Sequence, residues 1–311
     1  VSRAERWGLV AVLVALGAGW GITQPLAKIA VTGGYRHFGM VFWQLALGAA
    51  FLGAICLARG RGLPLGARHL RLYAVLALIG SVVPNAASYQ AVGHLPAGVM
   101  SILVSLVPMF AFPIALALGI DRFSALRLAG LAAGLMGVML IVAPESGLPD
   151  PGMILWVPLA LVAPFFYALE GNYVARNGTE GLDAIQTLFG ASVIGTLIAA
   201  PLAISSGQWI DPRPPWELRD AAVAGIAVVH ALVYAGYVWL VGHAGAVFAA
   251  QVAYLVTLWG VLWAKLLLGE AYSGWVWAAL ALMLAGLFLV QPRPKGVLAP
   301  VAPLPDTARR S

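Results

Sequence analysis

The chain has 311 residues, of which 61% are hydrophobic and only 10% charged, with a formal net charge of +6. A soluble protein carries roughly 25% charged residues, and so few acids and bases cannot coat a water-facing surface of this size. A soluble enzyme, a nucleic-acid binder and a disordered adaptor are set aside, leaving a polytopic membrane protein with little extramembrane mass.

A hydrocarbon core of ~30 Å takes ~20 apolar residues per helical crossing. Apolar windows of that length predict spans near residues 7–31, 38–58, 72–91, 97–118, 127–143, 153–175, 183–204, 220–240, 246–268 and 274–291. The basic start, Arg3 to Arg6 before an apolar run, looks like a signal peptide; the run reaches about Val31, too long for an h-region, and is read as a retained first span. Cys56, the only cysteine, lies in span two, so an intrachain disulfide and a cysteine metal cluster are both excluded. Proline and glycine punctuate the joins, as in Gly60 to Pro64, Pro149-Asp150-Pro151 and Pro212 to Pro215, and the link from Gly93 to Pro96 is short. The tail at 293–311, with prolines at 294, 300, 303 and 305, is expected to be disordered and cytoplasmic.

Basic residues orient the spans. With the N-terminus inside, Arg3, Arg6, Arg59, Arg61, Arg68, Arg71, Arg122, Arg127, Arg176, Arg293, Lys295, Arg309 and Arg310 fall on the cytoplasmic side. The outer side holds only Lys28, Arg36, Arg213, Arg219 and Lys265, so both termini are expected inside. The loop at 144–152 agrees, having Glu145 and Asp150 and no basic residue.

The halves repeat weakly. Leu116 to Asp121 corresponds to Leu266 to Glu270, Leu106-Val107-Pro108 to Leu255-Val256-Thr257, and Lys28 to Arg176, at offsets of 148 to 150 residues. Five spans per half is odd, so the second half must insert upside down. The expected fold is an all-α polytopic membrane protein of ten transmembrane helices, two inverted five-helix repeats around a central cavity, at 1–148 and 149–292. Inverted repeats characterise secondary transporters, whose substrate sits near the midplane.

The chain also resembles the EamA-type members of the drug/metabolite transporter superfamily. The resemblance is carried by Trp20-Gly21 with Lys28, by Tyr89-Gln90-Ala91 to Ala97-Gly98, by Gly119-Ile120-Asp121 with Gly130 and Gly137, and by Gly269-Glu270. Tyr167, Asn172 and Ala175-Arg176 make it most similar to the YddG-type aromatic amino-acid exporters. Two positions depart from the family pattern: Gln44 stands where many relatives carry a basic residue, and Asp121 replaces the usual Glu.

Polar side chains inside spans are costly and usually face a bundle interior or watery cavity. Ser81, Asn85, Ser88 and Tyr89 line one face of span three, and an offset of 149 carries the first three onto His230, Tyr234 and Tyr237 of span eight. Trp20 and Gln24 in span one, Ser105 in span four, Tyr167 and Glu170 in span six, and Gln251 and Tyr254 in span nine complete the candidate cavity. Ser81, Ser101 and Thr257 are more readily explained by bonds to their own helices. His230 can relay protons, recognise substrate or bond a neighbouring helix; Glu170 can gate the inner mouth, bind an amine or pair with a cation. Lys28 and Lys265 are expected to snorkel outward, and Asp121 and Glu270 to sit at helix N-termini. Pro108, Pro113 and Pro164 predict kinks; Gly130 and Gly134 predict close helix packing within the chain rather than a dimer seam.

No span centre holds the cation that a phosphate substrate requires, and the first span holds no acid for a lipophilic cation. The expected cargo is neutral or zwitterionic: amino acids, aromatic or other large neutral ones, exported across the inner membrane, with other small metabolites, nucleosides or drugs as the alternative. An intramembrane protease has only Ser192 and His230 to offer, without a glycine after the serine or paired aspartates. The chain has no HExxH and no GxxxxGK, so it is not expected to be an enzyme. Neither a carbonyl filter nor a ring-forming charge suggests a channel. No cofactor or metal is expected; the partners are the bilayer and a small-molecule substrate, with a monomer the simplest arrangement.

Overall fold

In a hydrocarbon medium each backbone N–H and C=O must be paired within the chain, and the helix does this locally. The structure, a computed structural model, describes residues 3–142 and 148–290. The proline-rich tail and Glu145 lie outside the described residues. The helices are α1 (Arg3–Gly21), α2 (Thr23–Thr32), α3 (His37–Ala58), α4 (Ala67–Ala77), α5 (Val83–His94), α6 (Ala97–Val104), α7 (Val107–Ala117), α8 (Ala125–Val142), α9 (Val157–Asn177), α10 (Ala184–Ser205), α11 (Leu218–Ala244), α12 (Ala246–Ala249), α13 (Val252–Leu268) and α14 (Gly274–Val290). A π-helical turn, Leu78–Val82, joins α4 to α5, and a 3-10 turn, Pro151–Trp156, leads into α9. Among the described residues there is no strand.

Eight helical segments are long and apolar enough to cross a membrane, running from Trp7–Thr32 to Leu218–Ala244. Val252–Leu268 and Gly274–Val290 are equally apolar but shorter. The first of these is short because the chain breaks at Ala250–Gln251, where Gln251, Ala253 and Tyr254 bond three residues back instead of four.

Three earlier breaks trace to prolines. Pro25 cannot donate to the Gly21 carbonyl, and α1 gives way to α2 at Ile22. Pro84 cannot donate to Gly80, and the chain widens into the π turn, in which Val83 N–H reaches back to the Leu78 carbonyl. Pro108 cannot donate to Val104, and Ser105 and Leu106 take three-residue bonds to Ile102 and Leu103. The expected kink at Pro108 is thus a break between α6 and α7, while Pro113 and Pro164 sit inside α7 and α9.

Helix pairs that cross between the halves include α8 with α14, α3 with α10, α1 and α2 with α13, α9 with α6 and α7, α5 with α9, α11 with α1 and α2, α3 with α11, α4 with α10, α6 with α13, and α14 with α6 and α7. Lipid gives helices no hydrophobic reason to associate, so close packing must do so. At α8–α14, a Cβ on Gly130 would lie 2.7 Å from the Gly286 carbonyl oxygen, and one on Gly286 the same distance from that of Gly130. The small residues are an intrachain seam, as their spacing suggested.

The end charges correct the expectation for Lys28 and bear out that for Glu270. Lys28 does not snorkel outward: its Nζ donates to the carbonyls of Val92, Gly93 and Leu95 at 2.8, 3.1 and 3.0 Å, capping the C-terminus of α5. Glu270 serves the N-terminus of α6, not the helix that follows it, and accepts from the amides of Ala97 and Gly98 at 2.7 and 3.1 Å. Tyr272 donates to the same carboxylate at 2.6 Å. A cation and an anion therefore hold the two helix ends on either side of one tight turn, each where the helix dipole favours it. Asp121 pairs with Arg127, and Lys265 is exposed.

Candidate functional site

The polar residues of α3, α5 and α9 meet inside the bundle. Asn85 Nδ2 donates to Gln44 Oε1 at 3.3 Å, Tyr89 donates its hydroxyl to the same oxygen, and Tyr167 donates to Asn85 Oδ1 at 2.6 Å. Gln44, Asn85 and Tyr89 are buried, so each carbonyl must be satisfied in place. One turn further along α9, the Glu170 carboxyl packs against Gly80 of the π turn, where any Cβ would occupy its space. It makes no ion pair among the described residues.

A second group forms where α1 meets α11. The Trp20 ring lies 5.6 Å from that of Tyr237 and 6.3 Å from that of His230, centroid to centroid. The two groups are joined by a small cavity of about 20 Å³, lined by the polar residues Gln44, Ser81, Ser192 and His230 with Leu45, Gly48, Leu52, Leu188, Ala227 and Ala231. That is room for about one water molecule. Ser192 and His230 share this cavity but make no hydrogen bond to each other among the described residues, and no carboxylate lines it.

The structure therefore brings together Trp20, Asn85, Tyr89, Tyr167, Glu170, His230 and Tyr237, and Tyr234 follows His230 by one turn of α11. Gln24 on α2 and Tyr254 on α13 each bury an oxygen without a hydrogen-bond partner. Ser105 and Gln251 stand apart: the Ser105 hydroxyl bonds the Ile102 carbonyl at the α6–α7 break, and Gln251 is exposed beside the α12–α13 break. Ser101 and Thr257 bond the carbonyls four residues back, as expected, whereas Ser81 faces the cavity. Asn172 ties α9 to the Ala111 carbonyl of α7 at 3.1 Å.

Gln44 and Ser192 are the residues the stripe arithmetic passed over. A lone amide in the apolar helix His37–Ala58 is itself the signal, because such a group is kept in lipid only with a partner or a task.

An all-helical chain with long apolar segments and a polar interior carrying few formal charges is a polytopic membrane protein of the transporter class. A model of the EamA-like transporter family matches residues 6–143 and again residues 154–291, and the chain belongs to that family. It is similar to the uncharacterized inner membrane transporter YedA of Escherichia coli strain K12, 24% identical over 289 residues that cover 91% of this chain and 90% of that protein. YedA of the O157:H7 strain matches at the same level, 24% over 289 residues. A solved crystal structure shares the fold at a TM-score of 0.59 and 19% identity, covering 91% of this chain and 98% of the solved one.

Proposed function

We propose that the chain is a secondary transporter exporting amino acids, aromatic or other large neutral ones, across the inner membrane, in the manner of YddG-type exporters. Ten spans, arranged as inverted five-helix repeats at 1–148 and 149–292, enclose the site, and rocking of the halves opens it to each side in turn. Both termini are cytoplasmic, on the bias of arginine and lysine toward that side.

The double match of one family model supports the repeat. So does the near-symmetry of the helix contacts: with α1–α2 equated to α9, α3 to α10, α4–α5 to α11, α6–α7 to α12–α13 and α8 to α14, the cross-half pairings have counterparts except those of α14 with α6 and α7. The location follows that of the YedA relative.

One observation carries the substrate reading: an amide and tyrosine network adjoins a tryptophan, histidine and tyrosine cluster, with Glu170 as its one acid and no lysine or arginine. Amides and hydroxyls suit the polar end of a zwitterion, and aromatic walls suit its side chain. Proteoliposomes loaded with radiolabelled Phe, Trp, Thr or Met should show saturable, protein-dependent flux. Flux of none of them removes the assignment. Comparing flux with and without a pH gradient, in wild type and His230→Ala, tests proton coupling.

A further inference from the structure

Hydrogen bonding around the central amides has a direction. Gln44 Oε1 accepts from both Asn85 and Tyr89, and Asn85 Oδ1 accepts from Tyr167. A carbonyl oxygen has two lone pairs, so the Gln44 acceptor is filled and what this side chain still offers is N–H. Gln44, Ser81 and Ser192 are 7%, 9% and 4% exposed and face the same cavity as His230. Among the described residues, none accepts a hydrogen bond from the Gln44 amide nitrogen, from either serine hydroxyl or from the His230 ring. Each can donate: hydroxyls rotate, and a neutral imidazole keeps one N–H.

We propose that this cavity is the carboxylate subsite of the transporter, with Gln44, Ser81, Ser192 and His230 as its donors; the inference rests on the transport reading of the same site. A carboxylate is acceptor-only and matches a ring of donors. A phosphate dianion does not fit, because no lysine or arginine lines the space to offset its charge. The opposite pole lies nearby: Tyr234 follows His230 by one turn of α11, about 6 Å of rise, and the Glu170 carboxyl packs against Gly80 of the π turn, next to Ser81. An ammonium held there and a carboxylate held by the four donors are the two ends of one amino acid. The water-sized cavity widens to admit the carboxylate when α10 and α11, whose direct contact is sparse, move apart.

The test uses thermal unfolding of the purified full chain in detergent with L-phenylalanine, 3-phenylpropionate and phenethylamine at matched concentrations. Phenylalanine and phenylpropionate should raise the midpoint of wild type, while phenethylamine, which offers only the ammonium, should act equally on wild type and Ser192→Ala. Ser192→Ala and Gln44→Leu should each weaken phenylpropionate about tenfold, the size of a lost hydrogen bond to a charged group. Gln44→Leu also strips partners from Tyr89 and Asn85 and can fail to fold. Ser192→Ala removes a hydroxyl that holds nothing else, so that variant decides. The subsite is overturned if neither carboxylate stabilises, if Ser192→Ala leaves phenylpropionate unchanged, or if Ser192→Ala weakens phenethylamine as much as phenylpropionate. Phenylpropionate binding without flux of any amino acid would keep the subsite and remove the transport reading. Equal flux of phenylalanine and phenylalaninamide would do the reverse.

Discussion

At the scale of single residues, the strongest commitments of this protein are long-range bonds from side chains to helix ends. Lys28 satisfies three carbonyls that α5 cannot satisfy itself. Lys28→Met keeps the stem but removes every donor, and should cost about 2–4 kcal/mol, read as a lower thermal midpoint in detergent. A midpoint equal to wild type would return Lys28 to a snorkelling role. Tyr35, in the loop between α2 and α3, donates its hydroxyl to Asp220 and lies 5.0 Å beneath the Arg219 guanidinium. Burial first, then the Asp220 bond, push its pKa up from 10.0 to about 12. The folded chain therefore keeps the phenolic proton through a range in which the unfolded chain has lost it. The stability this contributes is fully present below about pH 10 and is lost as pH rises through about 12. Wild type should lose more midpoint across that window than Tyr35→Phe does, and parallel curves would rule the linkage out.

Helices and their breaks are the next scale, and here sequence and structure part in an instructive way. Spans were legible because lipid demands long apolar runs, and the α8–α14 seam because glycines at helical spacing permit backbone approach. The stripe on α5 and α11 was legible because period alone places those residues on one face. The partners of Lys28 and Glu270 were not, since each lies far along the chain on another helix and periodicity reports only a helix's own faces. Gln44 escaped for a related reason: its meaning comes from Asn85, Tyr89 and the cavity across from it, none of them in its own helix. The π turn had a local cause, Pro84, but a proline alone does not say whether a helix will kink, break or widen. That turn sets which way Ser81 points and opens the space beside Gly80 that Glu170 fills. Pro84→Ala restores a donor to the Gly80 carbonyl and should let the segment from Ala67 to His94 return to α-helical register. The change should raise the thermal midpoint by the equivalent of about 1 kcal/mol, while turning Ser81 from the cavity by about 100°, one residue of helix. Proteoliposome initial rates should fall several-fold as the midpoint rises. A variant as fast as wild type would make the π turn a packing detail.

For the whole molecule, the charged clamp provides a test of the proposed inverted repeats. Lys28 and Glu270 close the turn between α5 and α6 at one end of the bundle. On the inverted-repeat proposal their counterparts are Arg176 and Asp121, which would close the turn between α11 and α12 at the other end. Among the described residues Arg176 is exposed instead and Asp121 is held by Arg127. A carrier that alternates access must relax one end before it seals the other, and two symmetric clamps with one engaged have that form. Leu95, in the clamped turn, is fully buried, while Ala244, its counterpart at the offset of 149 that relates the two stripes, is only half-buried. In a Cys56→Ser background in detergent, Leu95→Cys should resist a maleimide that Ala244→Cys takes up more readily. Adding Glu270→Gln leaves the Ala97 and Gly98 amides without their charged acceptor, and should expose the first site while slowing labelling at the second. Simple unfolding would instead speed both, because a loosened chain has no reason to bury position 244. Opposite changes at the two ends would tie them to one two-state motion, whereas a rise at position 95 alone would reduce the clamp to a local staple.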